Sequence, residues 1–379
     1  MPDKKLNIFT DFRFVTGLYL LVAIAVSLQK YFLGEEHYGN YLIFKNSFLH
    51  LIRSQDLYVL YPELKIDLFK YSPTFALLFF PFAYLPDALG MVLWNLLSVA
   101  LFLFSMKGIV MDEKKKVYVL YFILIEVITS LQNFQSNLLT GALMVMTFVL
   151  LEKKNFWLAG VCVALGLYIK LFGALAVLLW FLYTEKRIFF ISSLIFGIIF
   201  LISPLLIVSP SELYNMYGAW MNLIAKDAPH FLNHSIISVI KNWFNLNVNK
   251  TAVQLIGVGA LVFPLIKFKQ FSDKRFRLFF LCSILIWSVI FNHKAESATY
   301  IIAIIGCGLW FFNSKESADK MVLMGLLFVF SCLSSTDIFP EYLKDHWVVP
   351  YSLKALPCIF IWIRLQYDLF FYHRIEKTN

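Results

Sequence analysis

The sequence predicts an all-α polytopic membrane protein, a bundle of about twelve transmembrane helices with interfacial helices in two long outer loops. Three observations predict it. Of 379 residues, 60% are hydrophobic and only 15% charged, whereas soluble domains run near 45–50% apolar and about 25% charged. The apolar residues fall in continuous runs, not in alternating ten-residue strands, which excludes a lipid-facing β-barrel. Short Lys/Arg clusters bound those runs, as they do where basic loops set orientation in a bilayer. The net charge of +9 is scattered over these loops without a basic domain, so no nucleic-acid partner is expected.

In chain order the apolar stretches are 14–32, 89–106, 117–131, 137–151, 156–170, 171–184, 188–208, 252–266, 277–292, 299–313, 321–335 and 353–371. The first is too long for a signal-peptide core and lacks a small-residue cleavage site, so it reads as a retained span. Several others are shorter than the ~17–25 residues of a full crossing. These must borrow uncharged neighbours or lie where protein surrounds them. The pair 156–184, with Lys170 in its middle, could be one long helix or a re-entrant hairpin, crossing once or twice. Two crossings keep every basic cluster on one side, from Lys4 and Lys5 through Lys114, Lys153, Lys186, Lys274 and Lys315 to Arg374. One crossing would invert everything after it.

Two long outer loops result, about 33–88 and 209–251. The run 72–84 is apolar but punctuated by Pro73 and Pro81, which predicts a helix lying in the outer interface with its apolar face down. The segments 212–225 and 234–244 read as interfacial helices whose Tyr214, Tyr217, Trp220 and Trp243 suit the headgroup level. All five cysteines lie in apolar runs and read as small hydrophobes. Neither a DxD pair nor a His-rich metal spacing is present, so no metal and no cofactor are expected.

Polar groups at membrane depth are expensive, so the few of them carry information. Lys170 ends an apolar helix near the outer face, Glu126 lies inside the third span, and Arg364 lies inside the last. Lys170 and Arg364 can snorkel to a headgroup. Glu126 is too short to do so and needs a partner or a wet cavity. On this topology the outer face gathers Glu35, Glu36, His37, Asn40, Asp56, Glu63, Asp67, Tyr71, Gln135, Asn137, Asp227, His230, Asn233, His234, Ser235, His293 and Glu296. A polar substrate handled on that face is the reading this asymmetry supports.

The stretches NYLIFKNSFLHLIRSQDLY, FKYSPTFALLFFPFAYLP and NFQSNLLTGALMVMTFVLLEKKNFWLAGVCVALGLYIKLFG, in this order, resemble glycosyltransferase family 87. The NHS at 233–235 is similar to that family's Asn-Gln-Ser loop, and NHKAES at 292–297 occupies the place of its late His-bearing loop. The resemblance covers about 40–300. It implies a GT-C architecture in the cell (inner) membrane with an extracytoplasmic active face. The donor it implies is a polyprenyl-phosphate sugar, mannose- or arabinose-like, and the acceptor a glycan or glycolipid, with inversion at the anomeric carbon.

Where the resemblance places the catalytic Asp of relatives, this chain carries Asn40, which can bond a hydroxyl but cannot accept its proton. Glu36, Glu296 or Asp56 would then serve as base, with His293 beside Glu296. Lys170 is the expected phosphate-binding cation. Asp56, Tyr71, Glu126, Gln135, Asn137, Asn233 and Ser235 complete the expected substrate-binding set. A non-catalytic relative that binds lipid-linked sugar, favoured by Asn40, and a transporter or flippase, which would favour polar groups at the midplane, are the alternative readings.

Overall fold

The computed structural model describes residues 8–226 and 234–371. Among these, every regular element is helical. The long helices are α1 (Phe12–Leu33), α4 (Asp87–Gly108), α5 (Glu113–Gln132), α6 (Asn137–Glu152) and α7 (Phe156–Ile169), with the shorter α2 (Gly39–Ile52) and α3 (Pro73–Leu78) after α1. A 3₁₀ helix, Leu171–Leu182, follows α7. Then come α8 (Lys186–Ile202), α9 (Pro210–Lys226), α10 (Ile236–Phe244), α11 (Lys250–Val262), α12 (Lys274–Ile290), α13 (Tyr300–Asn313), α14 (Ala318–Leu327) and α15 (Ala355–Phe370). Each of the twelve apolar stretches is helical over most of its length.

Among the described residues, four helical segments are long and apolar enough to cross a membrane: Phe12–Leu33, Asp87–Gly108, Lys186–Leu206 and Ala318–Ser335. Twenty-two residues of α-helix rise ~33 Å, about the thickness of a hydrocarbon core. The Lys186–Leu206 segment turns Phe190, Leu194, Ile198, Ile202 and Leu206 away from the rest of the chain. A continuous apolar face of this kind is stable in lipid and not in water. By contrast α12 and α13 are sheathed by the other helices on nearly every side. These two helices, each under eighteen residues, therefore have protein around them, as their length requires.

Helix starts at the basic end carry acceptor side chains that bond the first orphan N–H groups. Asp112 caps α5, Asn155 caps α7 and Asp273 caps α12. At this end Arg277 of α12 clamps Glu152 of α6 through Nε and Nη2, and the Tyr183 hydroxyl donates to the same carboxylate. Arg364, expected to reach for headgroups, instead pairs with Asp319 and Asp368, while Lys320 lies 3.2 Å from Asp368. Four of the five cysteines are buried and all five are free.

The 156–184 segment is a hairpin. Ser192 of α8 bonds the Trp157 carbonyl and Tyr168 bonds the Gly197 carbonyl, so α7 and α8 run parallel. The 3₁₀ helix between them must run the other way, and Tyr183 accordingly returns to Glu152. A 3₁₀ helix rises ~2.0 Å per residue, so its 12 residues reach ~24 Å and match the ~21 Å of 14-residue α7. The two legs touch where Gly166 faces Gly173, and a Cβ on Gly173 would lie 2.6 Å from the Gly166 carbonyl oxygen.

The run 72–84 differs from expectation. It forms α3 and a short turn, Phe80–Ala83, and its Phe75, Ala76 and Phe79 are buried against protein. Phe75 and Phe79 pack against Phe44 of α2 and Trp94 of α4, leaving Phe80 and Tyr84 outward. Aromatic edge-to-face contact with a neighbouring helix outweighs exposure to lipid at these positions. The segment 212–225 lies within α9, whose Leu213, Met216 and Trp220 turn into the same cluster.

Gly173→Ala should destabilise the detergent-solubilised protein by ~1–3 kcal/mol, because the new methyl meets backbone that cannot rotate away. Gly197→Ala, whose Cβ would meet nothing within 4 Å, should leave the melting temperature unchanged or slightly raised. Equal melting temperatures for the two variants would contradict the close hairpin.

Candidate functional site

Away from the basic end, the chain forms a half-open cavity of about 450 Å³. Its walls come from α2, the segment 67–71, the turn between α5 and α6, the Lys170 corner, α9, α11, α12 and the loop 291–299. Asn40, Tyr71, Gln135, Lys170, His293 and Glu296, all expected from sequence, line it. Beside these polar groups lie Phe172, Leu175, Leu223, Ile224 and Trp287, an apolar wall continuous with the helices.

Lys170 sits where α7 breaks, its backbone extended at φ −150° and ψ 128°. Its ammonium donates to Asn137 Oδ1 at 2.6 Å. Asn137 Nδ2 donates to Gln135 Oε1 at 2.5 Å, and Gln135 Nε2 donates to Glu296 Oε2 at 2.9 Å. One cation and one carboxylate thus end a line of two amides whose donor order is set by the charges at its ends. Tyr71 and Phe172 flank the ammonium, their ring centres 5.6 and 5.7 Å from Nζ. Such aromatic faces attract a cation through the negative charge of the ring face.

The amides are aimed by a tight turn. Phe134 adopts φ 50°, a left-handed conformation costly for a bulky residue. It is held there by Trp94 Nε1, which donates to its carbonyl, and by complete burial of its ring. The same turn anchors Asn40, whose Nδ2 donates to the Asn133 carbonyl at 2.9 Å. Local strain sustained by surrounding packing is common where side chains must be aimed.

Five expected residues do not line the cavity: Asn137 stands just behind it, bonded to Lys170 and Gln135, and four others lie away from it. Glu36 projects outward with 75% of its side chain exposed, nearest to His37, because the 3₁₀ turn Glu35–His37 ends before α2 carries Asn40 inward. Asp56 folds back to accept from its own loop at Tyr58 N. Ser235 caps α10, accepting from Ser238 N. Glu126 is fully buried against Lys354. Asn233 lies outside the described residues, as do Asp227 and His230. The lining contains residues that sequence reasoning did not single out as site residues: Asp67, Lys70, Trp220, Gln254, Trp287, Asn292 and Lys294. Asp67 and Lys70 lie 3.8 Å apart on one wall, and the Lys294 ammonium donates to the Ile224 carbonyl. Among the described residues no group of three or more His, Cys, Asp or Glu is placed to hold a metal.

Behind Glu296 lies a second polar group. The Lys354 ammonium bonds Glu126 Oε1 and Ser297 Oγ, each at 2.9 Å, and also Ser335 Oγ. His234 closes the same loop from the other side, its N–H donating to the Ala295 carbonyl while Tyr300 donates to its own carbonyl. Burial, with the nearby Lys354 ammonium, pushes the His234 imidazole down to about 4. The folded chain therefore binds fewer protons than the unfolded one between pH 6.5 and about 4. Stability from neutral His234 is complete above that window and is lost as pH falls through it. Lowering the pH from 7 to 5 should cost up to ~2 kcal/mol through this group. The His234→Gln variant should show a flatter melting temperature over that range, and parallel curves would refute the assignment.

Among curated proteins, none matches the chain. The family model for glycosyltransferase family 87 matches residues 69–336, well over half of the sequence. The match takes in Tyr71, the Gln135–Asn137 turn, Lys170 and the loop bearing His293 and Glu296. A helical membrane protein with these residues gathered at one cavity, and with this match, belongs to glycosyltransferase family 87.

Proposed function

We propose that this chain is an inverting glycosyltransferase of GT-C architecture that takes a sugar from a polyprenyl-phosphate carrier. The twelve apolar helices are read as twelve crossings of the cell membrane, with the basic end cytosolic and the cavity extracytoplasmic. The observation that supports the reading is the joined line from Lys170 to Glu296 beside an apolar wall. A lipid-linked sugar phosphate needs a cation, a base and a greasy channel within reach of one another.

In this reading the lipid tail lies along Phe172, Leu175, Leu223 and Ile224, and its phosphate meets Lys170. The acceptor hydroxyl attacks the anomeric carbon from the face opposite the phosphate, and Glu296 takes the hydroxyl proton. The bond from the anomeric carbon to the phosphate oxygen breaks, and its electron pair leaves with the polyprenyl phosphate. Lys170 offsets the charge gathering on that oxygen. Asn40, unable to take a proton, holds a sugar hydroxyl. Asn137 and Gln135 keep cation and base in register, so neither collapses onto the other when the site is empty.

Purified protein incubated with radiolabelled mannosyl- or arabinosyl-phosphopolyprenol should transfer label to a glycan or glycolipid fraction. Lys170→Ala should lower kcat by ~10²–10³, and normal turnover by the folded variant would remove Lys170 from the chemistry. Glu296→Gln should lower it by ~10²–10⁴ while donor still binds. Glu36→Gln should stay within about twofold of wild type, since its side chain faces away from the cavity. Loss of activity in Asp67→Asn but not in Glu296→Gln would move the base to the other carboxylate on the cavity wall. Absence of transfer with every donor would leave a chain that binds lipid-linked sugar without catalysis.

A further inference from the structure

The buried ion pair behind the cavity has no part in the chemistry just described, although it is among the most costly features of the fold. Glu126 lies midway along α5, and Lys354 immediately precedes α15. Both are buried, with side-chain exposures of 0% and 2%. Removing two charges from solvent is favourable only with good geometry and additional hydrogen bonds. The lysine meets that condition. An ammonium has three donors, and Lys354 directs them to Glu126 Oε1, Ser297 Oγ and Ser335 Oγ. The backbone carbonyl of Lys354 is fixed as well, accepting from Ser331 Oγ at 2.8 Å.

Ser297 adjoins Glu296 in the chain and opens the short 3₁₀ turn Ser297–Thr299. The loop bearing Glu296 is therefore held from behind by a side chain anchored to α5, to the end of the α14 segment and to α15. From the front it is held by Gln135, through the Glu296 carboxylate. Beside these two points the Ala295 carbonyl accepts from His234 N and the Lys294 ammonium donates to the Ile224 carbonyl. Together they define where the carboxylate stands relative to Lys170. A misplacement of about 1 Å in a reacting group can cost ~10²-fold in rate.

We infer that Lys354, held by Glu126, is a positioning residue that sets the Glu296 loop through Ser297. The inference rests on Glu296 being the base, but it has a readout that does not.

Removing one partner alone leaves a buried charge uncompensated and threatens the fold. The test therefore replaces both as Glu126→Leu/Lys354→Met and, separately, cuts only the link to the loop with Ser297→Ala. In each purified variant two quantities are measured: hydrogen exchange of the amides of 292–299, and the kcat and donor KM of sugar transfer. For the paired replacement, a near wild-type melting temperature is expected with at least tenfold faster exchange in 292–299 and a tenfold or greater loss of kcat. Donor KM should stay within about threefold. Ser297→Ala should lower kcat about three- to tenfold with an unchanged melting temperature, and Ser297→Thr, which keeps the hydroxyl, should restore the rate.

Wild-type exchange and wild-type kcat in Ser297→Ala would overturn the inference, as would the same result in a folded paired variant. If the paired variant fails to fold, Ser297→Ala and Ser297→Thr decide the matter. If Glu296→Gln retains turnover, the assignment of the base fails on its own, and the exchange rates still judge whether Lys354 holds the loop.

Discussion

Charge in an apolar bundle must either reach water or be matched, and the arrangement of this protein follows from that constraint. Its Lys/Arg clusters collect at one end, where Arg277 meets Glu152 and Arg364 meets Asp319 and Asp368. The most deeply enclosed carboxylate among the described residues, Glu126, is matched by a lysine from more than two hundred residues away in the chain. What remains unspent, Lys170 and Glu296, is tied together through two amides at the border of a cavity. The polar groups free to act on a ligand are those that the helices can afford to leave near water.

Backbone geometry does the aiming. A pair of facing glycines lets the 3₁₀ leg fold against α7 and leaves Lys170 at the apex. A left-handed Phe134 swings Gln135 and Asn137 across from it. Both devices depend on packing elsewhere: Trp94 holds the phenylalanine, and α8 holds the hairpin. The cavity is thus assembled by the cores on either side of it.

Much of the architecture was legible because apolar runs between basic clusters are a one-dimensional signal. The helices at 89–106 and 188–208 fall close to where hydropathy puts them. Lys170 and the Gln135–Asn137 pair were legible for a related reason, since polar residues at the rim of an apolar run have few places to go. Lys354 was not. It stands at the start of the last helix and reads as a loop charge, and its partner Glu126 was assigned to substrate for want of a visible counter-ion. The choice among Glu36, Asp56 and Glu296 was closed to sequence as well. Which carboxylate faces inward is decided by one turn of 3₁₀ helix at 35–37 and by a loop that bonds to itself at 56–58. Gln254 and Trp287 were missed, and Asp67 was placed on the outer face but not in the site, because a wall built from separate segments leaves no local pattern.

The extended winding of the segment 171–182 makes it a ruler. Wound as an α-helix, the same dozen residues would span only ~18 Å, about 6 Å short of their present reach. The amine at its apex would then be drawn inward by nearly a full helical turn, or the Lys186 end dragged off the interface. How deep the Lys170 ammonium stands is therefore a matter of helix type as much as of residue identity. A single deletion in this leg would shift it by ~2.0 Å and rotate it by a third of a turn, even with every lining side chain unchanged.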